Sequence, residues 1–222
     1  MAPGTLLHVV THPAVADRLA RLRCRDTPTP VFRKLLEEVG AFLAYEATRD
    51  LPLREETVRT PVDEAAVRRI ATRPVVAPIL RAGLGLLPGF LDVIDDAVVA
   101  HLGFYRDPQT LQPVAYYANV PDDLSERAVF VLDPMLATGN SGAAALEALS
   151  LRGARTLTLV SLIAAPEGIR RIHADHPAAR IVTGAVDDRL NDHGYIVPGL
   201  GDAGDRMYGS TSSVPVAVRP RP

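Results

Sequence analysis

The chain has no tryptophan, one cysteine and only five phenylalanines in 222 residues. Lys34 is its single lysine. A lone Cys24 excludes an internal disulfide framework and suits a reducing compartment. It sits among Arg21, Arg23 and Arg25, where a reactive thiolate is one reading and an ordinary thiol the other. There is no long run of like charge, and the formal net charge is −2. That excludes the electrostatic footprint of a nucleic-acid binder. No apolar run reaches the length of a membrane span. Met1 to Val10 lacks the basic start of a signal peptide, so a cytoplasmic protein is expected. Arginine carries nearly all the positive charge, and no function is drawn from that bias.

What is present is globular. Hydrophobic residues make up 47% and charged residues 23%, enough to bury a substantial core in one domain spanning 1–222. Short apolar runs alternate with helical patterns. Strands are expected at Leu6–Val10, Thr57–Thr60, Val75–Leu80, Ala97–Leu102, Ala128–Leu132, Thr156–Ile163 and Arg180–Thr183. Helices are expected at Ala14–Arg23, Thr29–Thr48, Val62–Ala71, Leu84–Leu91, Gly142–Leu151 and Pro166–Ala174. Gly103 to Pro121, with three prolines and three tyrosines, reads as a protruding arm. This alternation implies an α/β fold with a mainly parallel sheet covered by helices on both faces.

Two stretches carry chemistry. Val131 to Ser141 is an apolar strand, then Asp133, then a small-residue turn, Thr138-Gly139-Asn140-Ser141, opening a helix. In a parallel sheet, ligands collect beyond the carboxyl ends of strands. A helix N-terminus there offers free N–H groups and a positive dipole end to an anion. Gly139 permits close backbone approach, and Thr138 and Ser141 add hydroxyls. Asp133 suits ribose hydroxyls or metal-bound water. Neither a Walker loop nor a Gly-x-Gly-x-x-Gly fingerprint is present at this turn. Alone, the turn also fits an ordinary capped helix. The second stretch, Tyr195 to Asp205, is a Pro/Gly loop with two carboxylates, suited to gripping a flat polar ring by its edges. Arg81, directly after a buried strand, is placed to meet a phosphate. His8, His12, His173 and His176 lack metal-ligand spacing, which leaves solvated or capping roles. Glu46 and Arg49 have the spacing of a surface pair.

These blocks resemble the uracil phosphoribosyltransferase family. The resemblance runs through Tyr45-Glu46-Ala47-Thr48, Pro78 to Gly85, Tyr105-Arg106, Asp133 to Gly139, Ala164 to Gly168 and His193 to Asp205. It implies a type I phosphoribosyltransferase core with a small hood and a β-arm. It implies transfer of the phosphoribosyl group of phosphoribosyl diphosphate (PRPP) to uracil, giving UMP and diphosphate, with Mg²⁺ carried mainly by the diphosphate. By motif position, Asp133, Pro134, Met135, Leu136, Ala137, Thr138, Gly139, Asn140 and Ser141 would hold the ribose phosphate. Arg81 and Arg106 would contact the diphosphate. Tyr195, Ile196, Gly201, Asp202 and Ala203 would hold uracil, with Asp202 serving PRPP as well. Asp133, Arg81 and Asp202 are the expected catalytic set. A homodimer or larger assembly and a GTP effector are further expectations, with no nucleic-acid or membrane partner.

Two positions depart from the family pattern: Asn140 stands where a second glycine is usual, and Tyr208 where a phenylalanine is. Asn140 raises a second reading, a catalytically weak domain that senses UMP or PRPP. A transferase for another base is a third reading, against which the Tyr195–Asp205 block speaks. The tail from Ser210 to Pro222 is Pro- and Val-rich and carries no functional reading.

Overall fold

The structure, a computed structural model, describes residues 6–106 and 113–210, with only the backbone described at Arg106. The strands are β1 (Leu7–Val9), β2 (Leu53–Arg59), β3 (Glu64–Ile70), β4 (Val75–Leu80), β5 (Val98–Val99), β6 (His101–Arg106) and β7 (Pro113–Asn119). They continue with β8 (Ala128–Leu132), β9 (Met135–Leu136), β10 (Thr156–Ala164), β11 (Arg180–Val186), β12 (Arg189–Leu190) and β13 (Ile196–Val197). The helices are α1 (Pro13–Arg23), α2 (Thr29–Ala47), α3 (Leu87–Val93), α4 (Asn140–Ser150), α5 (Pro166–Asp175) and α6 (Ala203–Tyr208).

The main sheet runs β1-β11-β10-β8-β4-β6-β7, parallel throughout except for the β6–β7 hairpin. Period-two alternation sorts its side chains between two cores. Val76, Phe130, Leu132, Val160 and Leu162 face α1, α2 and α3. Val75, Ala77, Val129, Val131 and Leu159 face α4 and α5, where Leu146, Leu149 and Ile172 are fully buried. Both faces are covered, so the central strands read as continuous apolar runs. Pro78 survives in β4 because pairing on one side passes from β5, at Val75 and Val76, to β6, at Ile79 and Leu80. Position 78 falls in that break, where a missing N–H costs little.

Three expectations need correction. Val62–Ala71 is no helix: Glu64–Ile70 is a strand paired antiparallel with Leu53–Arg59. The cause is the turn between them. The Thr60 hydroxyl accepts the N–H groups of Val62 and Asp63 and donates to the Asp63 carbonyl, folding the chain back. The expected helix Leu84–Leu91 divides into a 3₁₀ turn, Ala82–Gly85, and α3. There Gly83 lies so close to β8 that a Cβ on it would stand 2.4 Å from the Leu132 carbonyl oxygen. The strand expected at Ala97–Leu102 is split at Ala100 into β5 and β6. The hairpin β6–β7 matches the expected arm. Tyr116 covers Gly103 there, while Tyr116 and Tyr117 stay exposed. The arm's residues 107–112 and the tail residues 211–222 lie outside the described residues.

Two smaller expectations are met. His12 caps α1 by accepting the Ala14 N–H, and Glu46 pairs with Arg49 on the surface. Cys24 is exposed and free. No described helix is long and apolar enough to cross a membrane.

Candidate active site

The site lies beyond the carboxyl ends of β4, β8 and β10. The first wall comes from the chain after β8. The Asp133 N–H donates to Val160 O at 3.0 Å, and Pro134 O accepts from Leu162 and Ile163. Met135 and Leu136 then form β9 alongside β10. These bonds lock the descent of the loop, so its next peptides are presented rather than left free. Gly139 follows with φ +82° and opens α4. A Cβ there would meet the Gly168 carbonyl oxygen at 2.9 Å, and one on Gly168 would meet Ala137 O at 2.5 Å. The two glycines let α5 press against the loop from behind, which accounts for the Ala164–Gly168 block.

In this turn it is Gly139 that occupies the left-handed region. Asn140 is the first helical residue of α4, a position any L-residue adopts, so asparagine there carries no backbone strain. Its N–H approaches Thr138 Oγ1 at 3.5 Å.

The second wall is a small hood. β12 and β13 pair antiparallel and lead through Pro198 into the loop Gly199–Asp202. Gly199 and Gly201 hold φ of +63° and +80°. Asp202 caps α6, its Oδ1 accepting the Asp205 N–H at 2.8 Å. Gly194 brings the hood against the phosphate loop: a Cβ there would lie 3.9 Å from Thr138 Cγ2.

Between the walls lies a cavity of about 270 Å³. Asp133, Met135, Ala137 and Ser141 line it from one side, and Tyr195, Ile196, Gly201, Asp202 and Ala203 from the other. An adjoining hollow of about 140 Å³ follows the turn through Leu136, Thr138, Gly139 and Asn140. All five base-loop residues expected from the sequence therefore share one space with the phosphate loop. Pro134 is the exception on its side: it is buried, and its carbonyl is spent on β10. Ala82, Gly194 and Gly204 also line the cavity. They lie within motif blocks but have no side-chain chemistry that would mark them.

Asp133 is part-exposed, and burial pushes its carboxyl up to about 6. The one opposing contact is the Met135 N–H at 3.5 Å, too long to hold the charge strongly. Arg81 stands at the mouth rather than in the lining. Its Nη2 is 3.8 Å from Asp205 Oδ1, and its guanidinium lies 5.6 Å over the Tyr208 ring. A Cβ on the cavity-lining Gly204 would be 3.9 Å from that Nη2. The Tyr208 hydroxyl donates to the Arg81 carbonyl at 3.3 Å. The side chain of Arg106 lies outside the described residues.

Asp187, directly after β11, is buried. It pairs with Arg23 at the end of α1 and holds the Gly199 N–H.

Comparison with known proteins agrees with this geometry. The family model described as uracil phosphoribosyltransferase matches residues 9–210. The uracil phosphoribosyltransferase of Geobacillus kaustophilus is 50% identical over 205 residues, 92% of this chain and 98% of that protein. That of Brevibacillus brevis is 52% identical, with the same coverage. The solved structure of the AQ2163 protein from Aquifex aeolicus has a TM-score of 0.88 at 40% identity. The match covers 93% of this chain and 100% of that one.

Proposed function

The chain belongs to the uracil phosphoribosyltransferase family, and from that premise we propose that it transfers the phosphoribosyl group of PRPP to uracil, releasing diphosphate and UMP. The observation that carries this reading is the single cavity walled by the phosphate loop and the base loop together. It puts an anion cradle and a rigid backbone edge within one substrate's reach.

The reaction breaks the bond from the anomeric carbon to diphosphate and forms one to uracil N1. Negative charge builds on the leaving group while the ribose ring becomes oxocarbenium-like, so catalysis wants fixed positive charge and exact placement. In this reading the peptide N–H groups at the start of α4 take the 5-phosphate. Asp133 takes ribose hydroxyls. Arg81 swings from Asp205 to the diphosphate, and Arg106 joins it from the arm. The backbone of Gly201–Ala203 pairs with the uracil edge, Ile196 floors the ring and Tyr195 covers it. Asp202, which lines the same cavity, or a water helps take the N1 proton, and positioning with leaving-group stabilisation carries the rest. A base with a mismatched amino group leaves these partners unpaired and is rejected.

Mg²⁺ takes one or two carboxylates plus substrate phosphates; carried mainly by the PRPP diphosphate, it would find Asp133 and Asp202 lining the same cavity. When bound it neutralises diphosphate charge. Among the described residues no three His, Cys, Asp or Glu side chains gather to hold an ion unaided, which fits a metal arriving with the diphosphate. The reading includes one domain over 1–222, a cytoplasmic location and a homodimer or larger assembly. A GTP effector enters only through the family resemblance. The sensor alternative is not favoured by the family match, and Asn140 adds no backbone strain.

The test is UMP formation from uracil and PRPP with Mg²⁺, using cytosine and hypoxanthine as controls. Turnover with uracil alone is expected. Turnover with another base, or UMP binding without turnover, would overturn the reading.

A further inference from the structure

The base loop has short-range structure of its own only at its edges, and its middle is held by residues from far along the chain. Arg23 ends α1, and Asp187 follows β11 directly. Arg23 Nη2 meets Asp187 Oδ1 at 2.5 Å and its Nη1 meets Oδ2 at 2.7 Å. The same Nη1 also donates to the Gly199 carbonyl at 2.8 Å, and Asp187 Oδ2 accepts the Gly199 N–H at 2.9 Å. The ion pair therefore takes both polar groups of residue 199. One residue on, the Leu200 carbonyl accepts from Arg206 at 2.8 Å. Arg206 is fixed in turn by the Leu22 and Cys24 carbonyls at the end of α1 and by the Phe32 ring, 4.4 Å from its guanidinium carbon. None of Arg23, Asp187 and Arg206 lines the cavity.

The consequence follows from peptide geometry. With the carbonyls of 199 and 200 held by Arg23 and Arg206, the backbone that follows is fixed where Gly201, Asp202 and Ala203 line the cavity, and the Asp202 carbonyl is itself tied to the Arg206 N–H at 3.0 Å. Gly199 is closely packed as well: an added Cβ would stand 2.1 Å from the Ile196 carbonyl oxygen. Leu200 beneath is buried.

We infer that Arg23, Asp187 and Arg206 are positioning residues for base recognition: they clamp Gly199 and Leu200 to the end of α1 and so set the hydrogen-bonding edge that reads uracil. The inference rests on the proposed transferase reading. Sites that bind through backbone groups must be held to within about half an ångström. Loosening the clamp should therefore weaken the base without touching the PRPP half of the site.

The experiment compares the wild type with Arg23→Lys, Asp187→Asn and Arg206→Lys. These changes keep size and avoid stranding an uncompensated buried carboxylate. Arg180→Lys serves as control, because it perturbs a pair with Asp50 at the far end of the sheet. The expected result is a rise in uracil KM of about tenfold or more, with the PRPP KM within about twofold and kcat little changed. Amide hydrogen exchange should quicken across residues 196–206 and stay unchanged across 131–141. A folded variant with unaltered uracil KM would overturn the inference, as would equal rises in both KM values. A wild type that makes no UMP would overturn the transferase reading and the inference with it, a result distinct from variant-specific failure.

Discussion

The two walls of the cavity are built by opposite means. The phosphate wall is local: strand, acid, turn and helix follow one another within Val131–Ser141, and its backbone bonds reach the two neighbouring strands, β4 and β10, and Ala165 just past β10. The base wall is non-local. Gly199 is held by Arg23 from 176 positions away, and Arg206 ties it to Leu22 from 184. A local wall can be specified by a short motif and tolerates change elsewhere. A non-local wall inherits the precision of every element it is tied to. Substitutions that attack each wall separately should therefore separate in their kinetic signatures.

The largest effect is expected at Asp133. Asp133→Asn should lower kcat/KM for PRPP on the order of a hundredfold or more, the scale of losing a charged contact in the transition state. Stability should move the other way. Burial raises this carboxyl from 3.8 to about 6 in the fold. Protons are then held more tightly folded than unfolded between those values, so folding stability falls as pH rises through that window. At pH 7 the charged group costs the fold on the order of 2–3 kcal/mol. The Asn variant should accordingly melt higher than wild type at pH 7.5 and no higher at pH 3.5. Equal melting shifts at both pH values would remove burial as the cause, and near-wild-type turnover would remove Asp133 from the site.

Gly199→Ala should come next and should strike the other wall. Residue 199 has φ +63°, and the new methyl would meet Ile196 O at 2.1 Å. Backbone strain and displacement should cost about 1–3 kcal/mol of stability. Uracil KM should rise more than PRPP KM. If both rise together, the walls are mechanically one unit and the contrast drawn above fails.

The same contrast explains what was legible in the sequence. Strand–acid–turn–helix is a pattern of adjacent residues, so Asp133 to Ser141 could be placed before any coordinates. Burial of the central strands was visible as unbroken apolar runs such as Val75–Leu80. The second strand of the hairpin, Glu64–Ile70, reads as a helix in the sequence because its alternation is faint. Half-buried Ala65 and Val67 stand beside exposed arginines and a glutamate, and the decisive signal was the Thr60–Asp63 turn. Arg23, Asp187 and Arg206 had no local signature. Arg23 reads as one of three arginines around a cysteine, and Asp187 is followed by a second aspartate with no motif around it. Their meaning exists only once the ends of α1 and β11 have been brought beside residue 199.

Asn140→Gly tests how closed the local wall is. Residue 140 is helical, so glycine relieves no strain there and loses helix propensity of roughly 0.3 kcal/mol relative to asparagine. A lower melting temperature with PRPP KM within about threefold of wild type is expected. A PRPP KM that falls tenfold would show that the carboxamide crowds the phosphate and that the wall is tuned by side chains after all.

The smallest effect is expected at Tyr208, where the walls meet through Arg81. The ring supports the guanidinium, and the hydroxyl donates to the Arg81 carbonyl. Tyr208→Phe keeps the ring and removes one long, solvent-exposed hydrogen bond, worth about 0.5–1 kcal/mol at most. Uracil KM should stay unchanged and PRPP KM should rise no more than about threefold. Tyr208→Ala removes the ring as well and frees the arginine head, so PRPP KM should rise further while the uracil KM holds. If Tyr208→Ala instead raises the uracil KM, α6 transmits to the base loop, and Arg81 belongs to the non-local wall rather than to the boundary between the two.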